Sequence, residues 1–387
     1  MVKAIKVMLI PNNVQETKMF EYAGASRFAY NWALAREKEN YEKGGRFISD
    51  SELRKEFTKL RHSDEYAWLL NISNNVTKQA IKDACNAYKN FFRGLKKIPR
   101  FKSRKRSMPK FYQDNVNIQF SNTHVKLEGF SSSRKANKQK LNWVRLAEHG
   151  RISTDAKYMN PRISFDGLNW WISVCVEFPD CKEILNDDGV GIDLGIKDLA
   201  VCSDAVKYKN INKSQKVKKL EKQKRRLQRS ISRSYEKNKK GESYCKTNNV
   251  IKKEKLLLKR NHRLTNIRKN YLNQTISEIV NRKPRFICIE DLNVSGMMKN
   301  RHLSKVVQEQ GFFLFRKQLE YKCSDKGIQL IVADRFYPSS KLCSCCGKIK
   351  EDLKLSDRIY RCECGNMIDR DFQASINLKA YGERFAS

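Results

Sequence analysis

Polar and apolar residues alternate weakly over residues 1–10 and stop at Pro11-Asn-Asn. A period of two predicts one β-strand closed by a turn. From Gln15 to about Gly94 the spacing becomes helical. Phe20, Ala23, Tyr30 and Leu34 fall on one predicted face, and Ala80, Ala84 and Tyr88 on another, as in a helical bundle. From Asn115 to Phe178 the period of two returns, in Val116/Ile118/Phe120, Val125/Leu127, Ile163/Phe165 and Ile172/Val174/Val176/Phe178. Phe165-Asp-Gly-Leu-Asn169 has the composition of a hairpin turn. This stretch reads as a small antiparallel barrel or sandwich. The first strand would complete it, with the helical stretch as an insertion.

The second half has a different texture. Val190 and Ile192 fit a buried strand, with Leu199–Ser203 as its hairpin partner. Lys216–Tyr271 reads as a long helical pair broken near Gly241, with a narrow apolar stripe at Leu220, Leu227 and Ile231. Phe286–Ile289 is a continuous apolar run, as in a strand covered on both faces. A helix is predicted from Phe372 to Leu378. Together these predict a multidomain α+β chain whose second part is an α/β region.

The chain has 387 residues, a length that suggests two to four units. Hydrophobic residues make up 40% of it, enough for packed cores. Runs such as Val7–Ile10 and Phe312–Phe315 fall far short of the ~20 apolar residues that span a bilayer. No secretory apolar segment follows Met1-Val-Lys, so a soluble, cytoplasmic protein is expected. Charge narrows the field further. Lys plus Arg is 79 against 42 Asp plus Glu, a formal net charge of +37. A polyphosphate backbone is the natural counter-ion, since each neutralised phosphate releases condensed cations. An acidic membrane surface is the rival partner, but the chain offers no evident lipid anchor. Two segments concentrate the charge. Lys96–Lys110 carries eight basic residues and no acid, with Ile98-Pro-Arg-Phe101 inside it. Lys216–Tyr271 holds 21 basic residues against four acidic ones, Glu221, Glu236, Glu242 and Glu254. A solvated, salt-laced helix face would alternate in sign, and this one does not.

Three places carry candidate chemistry. Gly189-Val-Gly-Ile-Asp-Leu-Gly195 delivers Asp193 near a strand end. Its spacing is G-x-G-x-x-x-G and no helix evidently follows, so it is not a dinucleotide fingerprint. An aspartate in that turn fits a metal ligand better than a pyrophosphate neighbour. Pro284-Arg-Phe-Ile-Cys-Ile-Glu-Asp-Leu292 ends in Glu290, while strand alternation turns Asp291 to the other side. Asp369-Arg-Asp371 opens the last helix, with Asp371 in its first turn and Asp369 as second choice. Acids on strand, strand and helix start suit Mg²⁺, and two such ions can activate a water and stabilise a leaving 3′-oxygen.

Of twelve cysteines, Cys85, Cys175, Cys181, Cys202, Cys245, Cys288 and Cys323 are scattered and read as small apolar or surface residues. Cys343, Cys345, Cys346, Cys362 and Cys364 crowd one segment. Cys343 and Cys346 form a C-x2-C knuckle, Cys362 and Cys364 a C-x-C pair, and Gly347 and Gly365 follow them. Four thiolates predict one structural Zn²⁺, with Cys345 as the spare thiol.

Taken together and in order, the motifs around Asp193 and Glu290, Ala333-Asp-Arg-Phe-Tyr-Pro-Ser-Ser-Lys341, Cys343-Ser-Cys-Cys-Gly347 and Cys364-Gly-Asn-Met-Ile-Asp-Arg-Asp371 resemble the TnpB family. These are insertion-sequence proteins related to compact type V CRISPR effectors. The resemblance is dense over about 187–387 and looser before that, where Pro99-Arg-Phe-Lys102 matches best. It implies a prokaryotic, nucleoid-associated, RNA-guided DNA endonuclease. Asp193, Glu290 and Asp371 would hold catalytic Mg²⁺, and Gln373 stands where the family usually has Asn. It also implies a guide RNA from the element's own end, a short motif beside the double-stranded target DNA, and a layout of four parts. These are a wedge β-barrel (1–12 and 96–186), an inserted helical recognition domain (13–95), an RNase H-like RuvC nuclease domain (187–340 and 367–387) and a zinc ribbon within it (341–366). A monomer is favoured. Two alternatives are a guide-bound DNA-binding protein without cleavage and a strand-joining transposase. The five histidines, His62, His124, His149, His262 and His302, are unpaired in sequence. That argues against HNH nucleases and against single-strand transposases with paired His ligands.

Overall fold

The computed structural model describes residues 2–130, 141–179, 183–241, 243–354 and 356–386. Cys181 and Glu242 lie outside them. The chain divides into two compact units, Met1–Pro179 and Asp180–Ser387. No described helix is long and apolar enough to cross a membrane.

In the first unit β1 (Val2–Ile10) leads into α1 (Asn13–Glu42). The switch is abrupt because Asn12 caps the helix. Its side chain accepts from the Gln15 amide, and the Gln15 side chain accepts from the Asn12 amide. Ser49 and Glu52 cap α2 (Asp50–Arg61) in the same reciprocal way, and α3 (Asn74–Phe92) follows. The chain then returns to strands: β2 (Lys110–Tyr112), β3 (Gln119–Phe120), β4 (His124–Lys126), β5 (Trp143–Leu146), β6 (Tyr158–Phe165) and β7 (Trp170–Glu177). They form one antiparallel sheet in the order β2-β6-β7-β1-β5-β4-β3, with the first strand at its centre. Its buried face, including Val7, Leu9, Phe111, Ile172 and Val174, shares a core with Met19, Tyr22, Ala23 and Leu34 of α1.

The expected barrel does not close. Among the described residues, a side chain spans the gap: the Gln113 carbonyl oxygen, just beyond β2, accepts from the Glu128 amide, just beyond β4, at 2.8 Å. No ladder joins β2 to β3 among the described residues. Two sequence expectations fail locally. Val116 is 80% exposed, because Asp114–Ile118 is a turn rather than strand. Phe20 is 42% exposed, although its ring packs edge-on against Phe165 and Trp170.

The second unit is built on a five-stranded sheet of order β10-β9-β8-β13-β14. β8 (Val190–Leu194) turns antiparallel into β9 (Asp198–Cys202) and β10 (Lys207–Lys209). The basic helices are α4 (Gln215–Lys237) and α5 (Asn248–Asn281), joined through β11 (Lys239–Lys240) and β12 (Ser243–Tyr244). β13 (Phe286–Glu290) then enters the sheet parallel to β8. Next come α6 (Val294–Lys299), α7 (Ser304–Gln310), α8 (Phe312–Lys326) and β14 (Gln329–Ala333), parallel to β13. A small ribbon, β15 (Ile359–Arg361) and β16 (Met367–Asp369), precedes the last helix, α9 (Arg370–Phe385).

Strand alternation sorts the sheet's two faces. Ile192, Ile287 and Ile289 pack with Leu272 and Ile276 of α5 and with Phe315 and Leu319 of α8. Phe286 and Cys288 face the other way, onto Leu378 of α9. Gly191 also faces α9 and leaves no room there: a Cβ would stand 2.1 Å from the Ser375 carbonyl oxygen and 2.3 Å from the Lys379 amide nitrogen. Four of the scattered cysteines, Cys85, Cys202, Cys288 and Cys323, are buried, Cys175 is half-buried and Cys245 exposed.

Candidate carboxylate and cysteine sites

Alternation carries Asp193 and Glu290 to the face of the sheet that α9 covers, since each lies two residues beyond a side that faces that helix. The register places Ile192 opposite Ile289, so the two acids are neighbours across a parallel ladder. α9 begins at the same edge. Asp369 is its cap, accepting from the Asp371 and Phe372 amides at 3.1 Å each, and Asp371 sits in the first turn. Asp193, Glu290 and Asp371 therefore line one cavity of about 650 Å³. The sequence placed Asp369 in the turn before the helix. In the structure it is the cap itself, with Lys207 at 3.5 Å.

The electrostatics of this cavity are strained. Burial, and then the charges of Glu290 and Asp371, push the Asp193 carboxyl well above the usual carboxylate range, while Arg370 opposes them. Glu290 is raised too, first by burial and then by Asp371, although the Ser339 hydroxyl donates to it at 2.5 Å. Like charges gathered in a poorly solvated place are costly unless a cation joins them. Two such carboxylates, with Asp371 beside them and paired to Arg370 at 3.6 Å, are the hard oxygen donors that Mg²⁺ prefers. Asp291 shows the contrast. It faces away and accepts from Arg316 at 2.7 Å and Arg335 at 2.5 Å, which hold its carboxyl low.

Sequence reading passed over the cations of the same cavity. Lys197, Lys213, Lys341, Lys354, Arg358 and Arg370 all line it. Lys341 and Arg370 stand inside motifs quoted above, but Lys213, Lys354 and Arg358 do not, and no local pattern marks those three. Ser339 was visible only inside the Tyr-Pro-Ser-Ser-Lys motif.

The cysteine cluster is tighter. The sulfurs of Cys343, Cys346, Cys362 and Cys364 all lie within 4.8 Å of one another. Cys343 and Cys364 are 3.6 Å apart, and Cys346 and Cys362 3.5 Å. A tetrahedral zinc with Zn–S near 2.3 Å would set its sulfurs about 3.8 Å apart, so the residues fit the ion. Gly347 and Gly365 adopt φ of +73° and +89°, which lets each knuckle turn back. Burial works against a Cys343 thiolate, but amides of Cys346, Asn366 and Cys345 outweigh it and lower the thiol to about 6. Cys345 is exposed and stands outside the group.

Comparison with known proteins gives a consistent picture. Residues 1–46 match the helix-turn-helix domain of OrfB proteins of the IS605 type. Residues 173–301 match the OrfB family itself, described as a probable transposase, and 312–378 the Cas12f1-like TNB domain. The first description differs from what is seen here, where β1 runs into one long helix. Two relatives carry the name "Putative RNA-guided DNA endonuclease". One is InsQ of Escherichia coli K12, 30% identical over 98% of this chain and 92% of its own. The other, from Streptomyces pristinaespiralis, is 28% identical over 98% of this chain and 89% of its own. Among solved structures, a Cas12f1–sgRNA–target DNA complex shares the fold, with a TM-score of 0.60 over 98% of both chains at 12% identity.

Proposed function

This chain belongs to the TnpB family of insertion-sequence-encoded RNA-guided DNA endonucleases, and from that premise we propose how its residues divide the work. Asp193, Glu290 and Asp371 are the catalytic carboxylates of a RuvC-type site. The carrying observation is that two strand ends and a helix start deliver them to one cavity, where burial and neighbouring acids disfavour the charge of Asp193 and Glu290. Mg²⁺ ions held there would activate a water and stabilise the leaving 3′-oxygen of the cut strand. Asp193, which feels the charges of both other acids, is the residue we assign as shared. Ser339 holds Glu290 by its hydroxyl. The lysines and arginines of the cavity draw a phosphodiester strand toward the acids and neutralise it on arrival.

The rest of the chain serves binding. Residues 13–95 form the recognition domain, and 1–12 with 96–186 a wedge-type β domain. Residues 187–340 and 367–387 are the nuclease domain, and 341–366 a ribbon whose four cysteines hold one structural Zn²⁺. The basic helices α4 and α5 grip a guide RNA made from the element's end. Pairing by that RNA selects double-stranded DNA beside a short adjacent motif. The protein works as a monomer at the prokaryotic nucleoid, in the cytoplasm.

The test is direct. Protein purified at moderate salt should carry one discrete RNA. The guide-loaded complex should cut matched DNA with Mg²⁺ and stop on chelation. Asp193→Ala should lower cleavage on the order of 10³-fold while target binding holds, because charge and pairing supply binding. Cleavage that survives in Asp193→Ala, Glu290→Ala and Asp371→Ala alike would replace the nuclease site with a guided binding protein.

A further inference from the structure

The carboxylate cavity and the cysteine cluster are joined by two buried amides. Gln373 and Asn377 stand one turn apart on α9, at 0% and 2% exposure. Gln373 Nε2 donates to the Leu342 carbonyl at 2.6 Å. Its Oε1 accepts from Ser344 Oγ at 2.9 Å and from Asn366 Nδ2 at 3.3 Å. Ser344 lies inside the first cysteine knuckle, and Asn366 just after the second. Asn366 Nδ2 also reaches Cys343 Sγ at 3.4 Å. One side chain thus touches both halves of the ribbon. The amide orientation follows from its partners, because a backbone carbonyl can only accept.

Asn377 completes the tie. Its Nδ2 donates to the carbonyls of Ser339 and Leu342, both at 2.7 Å. The strap Ser339–Cys343 is therefore pinned to α9 at two points. Its far end holds Glu290 through Ser339 Oγ. Its near end is a cysteine ligand, and the helix it is pinned to carries Asp371 in its first turn.

We infer that Gln373 and Asn377 are positioning residues that fasten the cysteine cluster to the carboxylate cavity, so that order in one sets the metal affinity of the other. This rests on the reading above, in which the cysteines hold zinc and the carboxylates hold divalent ions. A largely buried hydrogen-bond network transmits displacement because each unmade bond is costly. Gln373→Met keeps the volume and removes both functions of the amide.

Two readouts, neither of them cleavage, test the tie on the full chain. One is the rate of zinc release to a chelator. The other is Mn²⁺ affinity of zinc-loaded protein, followed by electron paramagnetic resonance. Gln373→Met should release zinc at least tenfold faster and weaken Mn²⁺ binding about tenfold. Ser339→Ala loses only the link to Glu290 and keeps the strap's backbone. It should weaken Mn²⁺ binding severalfold with zinc release unchanged, a split that general loosening would not produce. Faster zinc release with unchanged Mn²⁺ affinity in Gln373→Met would overturn the inference, as would Mn²⁺ affinity unmoved in Ser339→Ala. Wild-type protein that lacks zinc or binds no Mn²⁺ would instead reject the reading on which the inference stands.

Discussion

The sulfurs of Cys343, Cys346, Cys362 and Cys364 crowd within 4.8 Å of one another, whereas Asp193, Glu290 and Asp371 line an open cavity of about 650 Å³. Both clusters sit in one unit and share the segment 339–377. Their chemistry differs in kind. Soft thiolates that saturate a tetrahedron leave no position for a substrate, so the cysteine cluster suits structure. Hard carboxylates that repel one another across a cavity leave coordination positions open, which suits reaction. The contrast teaches that closure, more than ligand count, separates a structural ion from a working one.

The sharpest way to break that contrast is at the closed site. Cys343→Ser should lower zinc content from near one per chain and unfold the ribbon, since metal-binding energy there is folding energy on the order of 10 kcal/mol. Metal analysis with protease sensitivity of 341–366 checks it. Unchanged zinc content would reject the ligand assignment.

A second test separates buried acids that crowd one another from one buried chiefly among apolar side chains. Glu37 of α1 is 4% exposed, its Oε1 has no partner among the described residues, and burial holds its carboxyl at about 7. An unfolded chain releases that proton near pH 4.3. The folded state therefore keeps a proton that the unfolded state loses, so stability falls as pH rises from about 4.3 through 7. Glu37→Gln should flatten that slope and stabilise the first unit by about 1–3 kcal/mol at pH 8, read by denaturant melts at several pH values. Equal slopes in both proteins would show that Glu37 is not the buried acid described.

Smaller effects sharpen the boundary of the open site. Asp369→Ala should cost about 1 kcal/mol of stability through loss of the α9 cap, and should lower cleavage indirectly by loosening Asp371. Asp291→Ala should change cleavage least, within about threefold, because Asp291 is held by Arg316 and Arg335 on the other face. A dead Asp291→Ala beside an active Glu290→Ala would reverse the strand register.

Legibility followed the range of the cause. Alternation in Ile172/Val174/Val176 and the helical spacing of Ala80, Ala84 and Tyr88 are local, and those residues are buried as expected. Asp193 and Glu290 were marked by the apolar runs that precede them, because a strand that ends in an acid must present it. Barrel closure was not legible. Periodicity identifies strands but not which edges pair, and here Gln113 bridges the ends without a ladder. Val116 misled because alternation continues through a turn. The cap role of Asp369 and the ties of Gln373 depend on the fold around them, and an amide in a helix looks the same in sequence whether it faces water or a neighbour's carbonyl.

Gly191 has one more consequence. With α9 resting directly on the backbone of β8, the contact between the helix that carries Asp371 and the strand that carries Asp193 cannot accept even one added carbon. The cations of the cavity are different, since Lys197, Lys213 and the pair Lys354 and Arg358 come from separate segments of its lining. A bulkier residue at Gly191 would therefore shift a whole helix and the acid it carries, whereas a change at one of these cations would alter only the charge that an entering strand meets.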